Sequence, residues 1–167
     1  MKTTLKLMMV LFVTLLISCG GKEEKKKEGF SYQKKTTTEK PTTPKSEEVP
    51  ASKKIDLANK GVGPIKSVTL SADIDEDMAA HGAEVYKKMC TACHRADKKF
   101  IGPAPTGIME RRSPEWIMNM ILDPEGMVKN DPLAKELLIE FNGSPMANQN
   151  LSEEDARAVL EYFRTLK

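Results

Sequence analysis

Aromatic residues make up only 5% of the 167-residue chain, which also has just two histidines and three cysteines. So few large side chains fill the interior of a small domain poorly. A structural zinc site, which needs four ligands, has almost no candidates to draw on. No spacing in the sequence indicates a catalytic Ser/His/Asp set, a phosphate-binding loop or paired catalytic carboxylates. No group of four metal ligands stands out either. We therefore expect no enzyme of these classes.

Long apolar runs and strand-like alternation are missing as well. The run from Leu7 to Ile17 is too short to span a bilayer. With Lys2 and Lys6 ahead of it, this run is typical of an export signal over residues 1–18. No alternating pattern predicts β-strands, so the sequence predicts an all-α domain.

Two of the three cysteines lie in Cys90-Thr91-Ala92-Cys93-His94. C-x-x-C-H is the spacing at which two thiols form thioether bonds to one haem while the adjacent imidazole ligates its iron. The motif predicts one covalent haem c, attached at Cys90 and Cys93, with His94 as the proximal iron ligand. A haem would also fill the interior that the few aromatic residues leave empty.

The same residues have two other possible uses. A thioredoxin-like motif needs a strand–helix–strand context, whereas the residues before Cys90 predict a helix. A zinc site needs four ligands, and beyond Cys90, Cys93 and His94 the chain has only one further histidine, His81. Haem attachment is therefore the favoured interpretation.

The third cysteine, Cys19, directly follows the export signal in Leu16-Ile17-Ser18-Cys19-Gly20. This segment resembles the lipobox of bacterial lipoproteins, which implies that residues 1–18 are removed and that Cys19 is acylated. An ordinary signal peptide beside a thiol is the alternative. Since more than one acyl chain gives stable attachment, we expect an exported, lipid-anchored protein that faces the periplasm. Gly20 after the anchor resembles lipoproteins that are sent to the outer membrane. The residues that follow, Gly21-Lys22-Glu23-Glu24, are either a solvated tether or similar to the surface-export tails of some Gram-negative groups.

Composition divides the rest of the chain into three parts. Segment 19–54 is rich in Lys, Glu, Thr, Ser and Pro and predicts a flexible tether. Its expected reach is roughly 30–35 Å. Segment 55–70 mixes apolar residues with Gly-Pro positions and predicts an extended arm along a single domain, 71–167.

Helix signals recur through this domain. Asp75 to Met89 predicts a first helix that leads into the haem motif. Ser113-Pro114-Glu115 supplies a cap, an N1 proline and a first-turn acid for a second helix. Asp131-Pro132 repeats that start for a third helix, which Asn142-Gly143 ends, and Ser152 caps the last helix.

The chain resembles the class I cytochrome c family over roughly residues 75–167. Besides the haem motif, Gly82 and Tyr86 on the first helix and Val159 and Tyr162 on the last are similar to the family's pairs where these helices cross. The resemblance implies the class I cytochrome c fold, in which helices wrap around one haem.

The resemblance also implies contacts around the haem. The carbonyl of Pro103, in Gly102-Pro103, is expected to accept a hydrogen bond from Nδ1 of His94, because outer partners of this kind orient a ligating imidazole. The pair Arg111-Arg112 is either a partner of the haem propionates or a solvated basic pair.

A distal ligand is expected among the methionines that follow the motif: Met109, Met118, Met120, Met127 and Met146. Methionine is more often a core filler than a ligand, and Met118 and Met120 lie in a predicted helix. Met146 lies in an irregular loop before the last helix, where the family has its axial methionine. We therefore expect Met146 to be the distal iron ligand, with Met127 next and His81 disfavoured. One histidine and one methionine ligand raise the reduction potential of a haem iron relative to two histidines or an open sixth site.

The expected function is that of a one-electron carrier of a respiratory chain, not an enzyme. One alternative is a haem peroxidase-like or ligand-sensing protein with an open sixth site. Another is a fixed electron-entry subunit of a terminal oxidase or reductase. By family analogy the donor is a quinol-oxidising complex or another redox protein, and the acceptor is a terminal oxidase or a nitrogen-oxide reductase such as nitrous-oxide reductase.

Charge is distributed unevenly along the chain. Residues 1–70 carry 14 basic and 7 acidic residues, a net +7, whereas residues 71–167 carry 12 and 17, a net −5. An acidic domain disfavours nucleic acid as a partner. Lysines beside the motif predict electrostatically steered docking of a redox protein; they are Lys87, Lys88, Lys98 and Lys99.

Overall fold

The computed structural model describes residues 49–167, which belong to one compact unit. These residues form the helices α1 (Glu76–Met89), α2 (Pro114–Leu122), α3 (Pro124–Asn130), α4 (Pro132–Glu140) and α5 (Glu153–Thr165), with a 3₁₀ turn at Ile108–Glu110. No strand forms between residues 49 and 167, where an isolated bridge joins Asp56 to Arg112. The all-α prediction is therefore confirmed. None of the described helices has the length and hydropathy to span a bilayer.

Side-chain caps explain where the helices begin. Ser113, Asp123 and Asp131 each accept a hydrogen bond from the backbone N–H three residues further on, and a proline follows each of them. Asp75 and Ser152 cap α1 and α5 in the same way. Sequence reasoning predicted four of these starts and missed α3, although Asp123-Pro124 repeats the signature seen at Asp131-Pro132.

The first and last helices cross at very close range. A Cβ atom on Gly82 would lie 1.9 Å from the carbonyl oxygen of Ala158, so only glycine fits at this position. Beside the crossing, the ring of Tyr86 packs against Tyr162 and Phe163, with centroid distances of 5.4 and 5.8 Å. The crossing expected from the resemblance is thus present, and it fixes the helix that carries the haem motif.

Residues 49–74, here called the strap, are held to the helices by buried polar side chains. Asn119 on α2 is 0% exposed and donates to the carbonyls of Lys60 and Ile65 while accepting from the N–H of Ile65. Arg112 donates to the carbonyls of Ala51 and Lys54. Contacts with the domain therefore begin within the segment assigned to the tether. Residues 1–18 and 19–48 lie outside the described residues.

Candidate functional site

An apolar cavity opens between the helices and encloses about 1340 Å³ of empty space, counting the space that opens to solvent. Its walls include apolar side chains of α2, α4 and α5: Trp116, Ile117, Met120, Ile121, Leu137, Leu138, Val159 and Phe163. Cys90, Cys93, His94 and Met146 line the same cavity. The structure therefore brings Met146 to the same cavity as the three predicted residues of the motif, which lie about fifty positions earlier in the sequence.

The imidazole of His94 is oriented by the turn that follows the motif. Its Nδ1 lies 2.8 Å from the carbonyl oxygen of Pro103, the partner expected from the resemblance. A Cβ atom on Gly102 would lie 2.5 Å from Cε1 of His94, so the absence of a side chain there lets the ring lie against the backbone. With Nδ1 engaged, Nε2 is the nitrogen available to a metal.

The two motif cysteines form no disulfide with each other; Cys90 is half-buried and Cys93 is exposed. Burial, and to a lesser degree the neighbouring Cys93, raise the pKa of the Cys90 thiol to about 11. A thioredoxin-like motif needs a strand–helix–strand context, and residues 49–167 form no strand, so the fold does not suit that alternative. Two accessible thiols on a cavity wall instead suit covalent attachment of a group inside the cavity.

Tyr86 also lines the cavity, and it carries a buried polar atom that sequence reasoning did not single out. Its hydroxyl is buried and has no hydrogen-bond partner among residues 49–167. Burial, with a smaller contribution from Cys90, raises the pKa of Tyr86 to about 12. A buried hydroxyl without a protein partner is expected where a cavity holds a further group. The helix-packing pattern had indicated only the position of the ring.

The structure separates the candidate methionines. Met127 is 0% exposed, and its sulfur accepts a hydrogen bond from the backbone N–H of Val62, 3.0 Å away, outside the cavity. Met118 is buried in the core. Met146 and Met120 both reach the cavity wall, Met146 from a loop and Met120 from α2. Met146 is thus in place for the role expected from the resemblance.

Two arginines and a tryptophan close another side of the cavity. Arg112 is 3% exposed, so the interpretation as a solvated basic pair is wrong for this residue. Burial, reinforced by Arg111, lowers the pKa of Arg112. Its guanidinium lies 5.2 Å from the ring centroid of Trp116, whose Nε1 donates to Asp131. A buried cation on the wall suits a group that carries carboxylates, such as the haem propionates.

His81 lies outside the cavity. Its Nε2 is 2.8 Å from Oδ1 of Asp155 at the surface. Over the described part of the chain, no group of three or more His, Cys, Asp or Glu side chains is placed to hold a metal ion. The zinc alternative therefore gains no further ligand from these residues. Cys19 lies outside the described residues.

Comparisons with known proteins match this geometry. The cytochrome c family model matches residues 79–167. Two proteins named cytochrome c2 from Rhodopseudomonas palustris are 28% and 30% identical over 113 residues, which cover 53% of this chain and 98% of each relative.

Solved structures give the same result. A cytochrome c from Rhodothermus marinus is 46% identical, with a TM-score of 0.61 over 62% of this chain and 89% of that chain. An engineered form of it bound to a carbene intermediate is 45% identical, with a TM-score of 0.58 over 62% of this chain and 89% of that chain. The class I cytochrome c fold is therefore confirmed. The chain belongs to the cytochrome c family, whose members bind covalent haem c and act mostly as electron carriers.

Proposed function

We propose that this protein is a membrane-tethered monohaem cytochrome c that carries single electrons in a respiratory chain. The observation that supports this proposal is the convergence of Cys90, Cys93, His94 and Met146 on one apolar cavity. In the proposal, the two cysteines form the thioether bonds, His94 is the proximal ligand and Met146 is the distal ligand.

Haem c bound in this cavity supplies a one-electron change at its iron. The side chains supply a rigid and largely dry surrounding. Pro103 holds the imidazole of His94 in one orientation, and the apolar wall would limit the access of water to a bound haem. Such an arrangement favours electron exchange with another protein over chemistry on a bound substrate.

The test is the spectrum of the protein purified from a host that can attach haem covalently. We expect the mass of one added haem and the sulfur-to-iron charge-transfer band that the family resemblance implies for Met ligation. We also expect no CO binding to the reduced form. Ready CO binding would favour the peroxidase-like or ligand-sensing alternative, and colourless protein without added mass would contradict haem attachment.

The proposed location is a membrane to which the exported chain is lipid-anchored with its domain facing the periplasm; the outer membrane and the cell surface are the alternatives. Cytochrome c homologues are typically exported to the periplasm. The support for a lipid anchor is the lipobox-like segment that ends at Cys19. Cys19→Ala should move the haem protein from the detergent phase to the aqueous phase of a phase separation. Unchanged partitioning would contradict acylation.

The proposed partners are a quinol-oxidising complex or another donor, and a terminal oxidase or a nitrogen-oxide reductase such as nitrous-oxide reductase. A mobile carrier should exchange electrons with purified partners in transient encounters. Stable co-purification with an oxidase or reductase would instead favour a fixed electron-entry subunit.

A further inference from the structure

The strap exposes an unusual share of apolar surface. Of the seven large hydrophobic residues exposed between residues 49 and 167, four lie in the strap. Ile55 is 71% exposed, Leu57 and Val49 are each 54% exposed, and Val62 is 40% exposed. Exposed apolar residues that are scattered singly need no explanation, but a concentration in one short segment indicates a contact surface.

Lysines are interleaved with these apolar residues. The strap contains four lysines and two aspartates, and two of the lysines, Lys54 and Lys60, pair with Glu136 and Glu115 of the helices. The domain over 71–167 carries a net charge of −5. Lys53, Lys60 and Lys66 are exposed. The strap is therefore a basic and apolar surface on an acidic domain.

The backbone of the strap is fixed, so these side chains cannot turn inward. Ala51 and Ile65 occupy the inward positions and are buried in the core. The carboxamide of Asn119 and the guanidinium of Arg112 hold the backbone from beneath. A rigid backbone presents its outward side chains without the entropic cost of ordering a loop on binding.

We propose that the outward residues of the strap dock the domain onto an anionic lipid surface. We call six exposed residues of the strap the strap face: Val49, Lys53, Ile55, Leu57, Val62 and Lys66. Lysines are attracted to anionic headgroups, and apolar side chains enter the boundary between headgroups and acyl chains. The predicted tether leads into the strap, so an anchored chain keeps this face within reach of the membrane. A weak contact is sufficient because a tether raises the local concentration of the surface it connects.

This proposal rests on the proposed lipid anchor, which keeps the domain near the membrane. The contact between the strap face and the lipid requires no acylation. The test therefore uses the haem-loaded mature chain with Cys19→Ser, and the haem absorbance reports how much protein sediments with vesicles. We expect binding to vesicles of phosphatidylglycerol and phosphatidylethanolamine at low salt, and little binding to phosphatidylcholine vesicles.

Matched variants assign the binding to the strap face. Lys53→Glu with Lys66→Glu should weaken binding by roughly 25-fold or more, since each lysine near such a surface contributes about fivefold. Lys87→Glu with Lys88→Glu, an equal change of charge on α1, should weaken it much less. Ile55→Ser with Leu57→Ser should also weaken binding, whereas Phe100→Ser, at a residue 46% exposed in another loop, should not.

Three outcomes would overturn the proposal. The first is no binding of the unacylated chain to anionic vesicles. The second is equal weakening by the two pairs of lysine variants, which would indicate a general effect of charge. The third is loss of binding only when Lys25, Lys26 and Lys27 of the predicted tether are replaced. Each outcome leaves haem ligation and acylation untouched, so it is distinguishable from failure of the proposed function.

Discussion

At the scale of single residues, Met146 and Met120 are the two methionines that face the cavity from beyond the haem motif. We predict that Met146→Ala abolishes the sulfur-to-iron band and lets the reduced protein bind CO, because the proposed distal position then has no protein ligand. Met120→Ala should retain the band, because this substitution removes a packing residue and leaves the proposed ligand in place. Absorption spectra with and without CO measure both effects. The reverse pattern would assign the distal position to Met120.

The sequence was sufficient for the residues whose role follows from local spacing. Cys90, Cys93 and His94 are separated by fixed, short intervals that the chemistry of attachment requires, so they were found directly. The predicted helix set Met118 and Met120 aside and the family resemblance favoured Met146, but neither argument excluded Met127. Only the fold shows that the sulfur of Met127 is occupied by the N–H of Val62, and no local pattern could reveal that contact over such a separation.

At the scale of elements, Asn119 joins α2 to the strap. Asn119→Ala would leave the carbonyls of Lys60 and Ile65 and the N–H of Ile65 without their partner, so we predict a loss of about 2–4 kcal/mol in the free energy of unfolding. Hydrogen exchange at the amide of Ile65 should accelerate. Chemical denaturation provides the comparison with Asn130→Ala, which removes a similar but exposed hydrogen bond and should cost at most about 0.5 kcal/mol. Equal losses would contradict this role of Asn119.

Glu161 joins α5 to the start of α1. It is 0% exposed, accepts a hydrogen bond from the backbone N–H of Asp75 and pairs with Arg157 and Arg164. Burial opposes its ionisation, but the hydrogen bonds from Arg157 and from the Asp75 amide outweigh burial and hold the pKa of Glu161 below its usual value of 4.5. A depressed pKa contributes stability that is present above the unfolded-state value and is lost as the pH falls through the folded-state value.

We therefore predict that the free energy of unfolding decreases as the pH falls below about 4.5. Glu161→Gln should lower stability by about 3 kcal/mol at neutral pH, because two arginines lose a buried partner, and should flatten the acid dependence. Thermal unfolding between pH 7 and pH 3 measures both effects. Glu154→Gln, an exposed change on the same helix, serves as the control. An unaltered pH dependence in Glu161→Gln would contradict the assignment.

The helices themselves were largely predictable, because each begins with a cap and a proline or acid that acts within one turn. The seven-residue α3 was missed because it is too short to show a periodic apolar face, although its Asp123-Pro124 start was visible. The contacts of the strap depend on Asn119 and Arg112, which look like ordinary polar residues in the sequence. Their burial is set by tertiary packing. The sequence therefore predicted that the segment is extended, but not that Asn119 and Arg112 bind its backbone.

At the scale of the whole molecule, the charges near the cavity are opposite in sign to the net charge of the domain. The domain over 71–167 has a net charge of −5, which repels an anionic partner at long range. The lysines beside the haem motif attract it at short range; the Nζ of Lys99 lies 4.5 Å from the ring centroid of Phe141, a residue of the cavity wall. The Debye length is about 30 Å at 0.01 M salt and about 8 Å at 0.15 M. At low salt an approaching partner therefore interacts with the net charge of the whole domain, and at 0.15 M salt mainly with the lysines near the cavity.

We predict that Lys98→Glu with Lys99→Glu slows electron transfer to ferricyanide several-fold at 0.15 M salt, because only charges near the cavity remain unscreened there. Lys60→Glu with Lys66→Glu changes the net charge equally, but in the strap, at positions outside the cavity wall, and should have little effect at that salt concentration. At 0.01 M salt both pairs should slow the reaction, since the whole charge of the domain then acts. Stopped-flow oxidation of the reduced protein measures these rates. Equal effects of the two pairs at 0.15 M would show that net charge, and not the lysines at the cavity, guides an anionic partner.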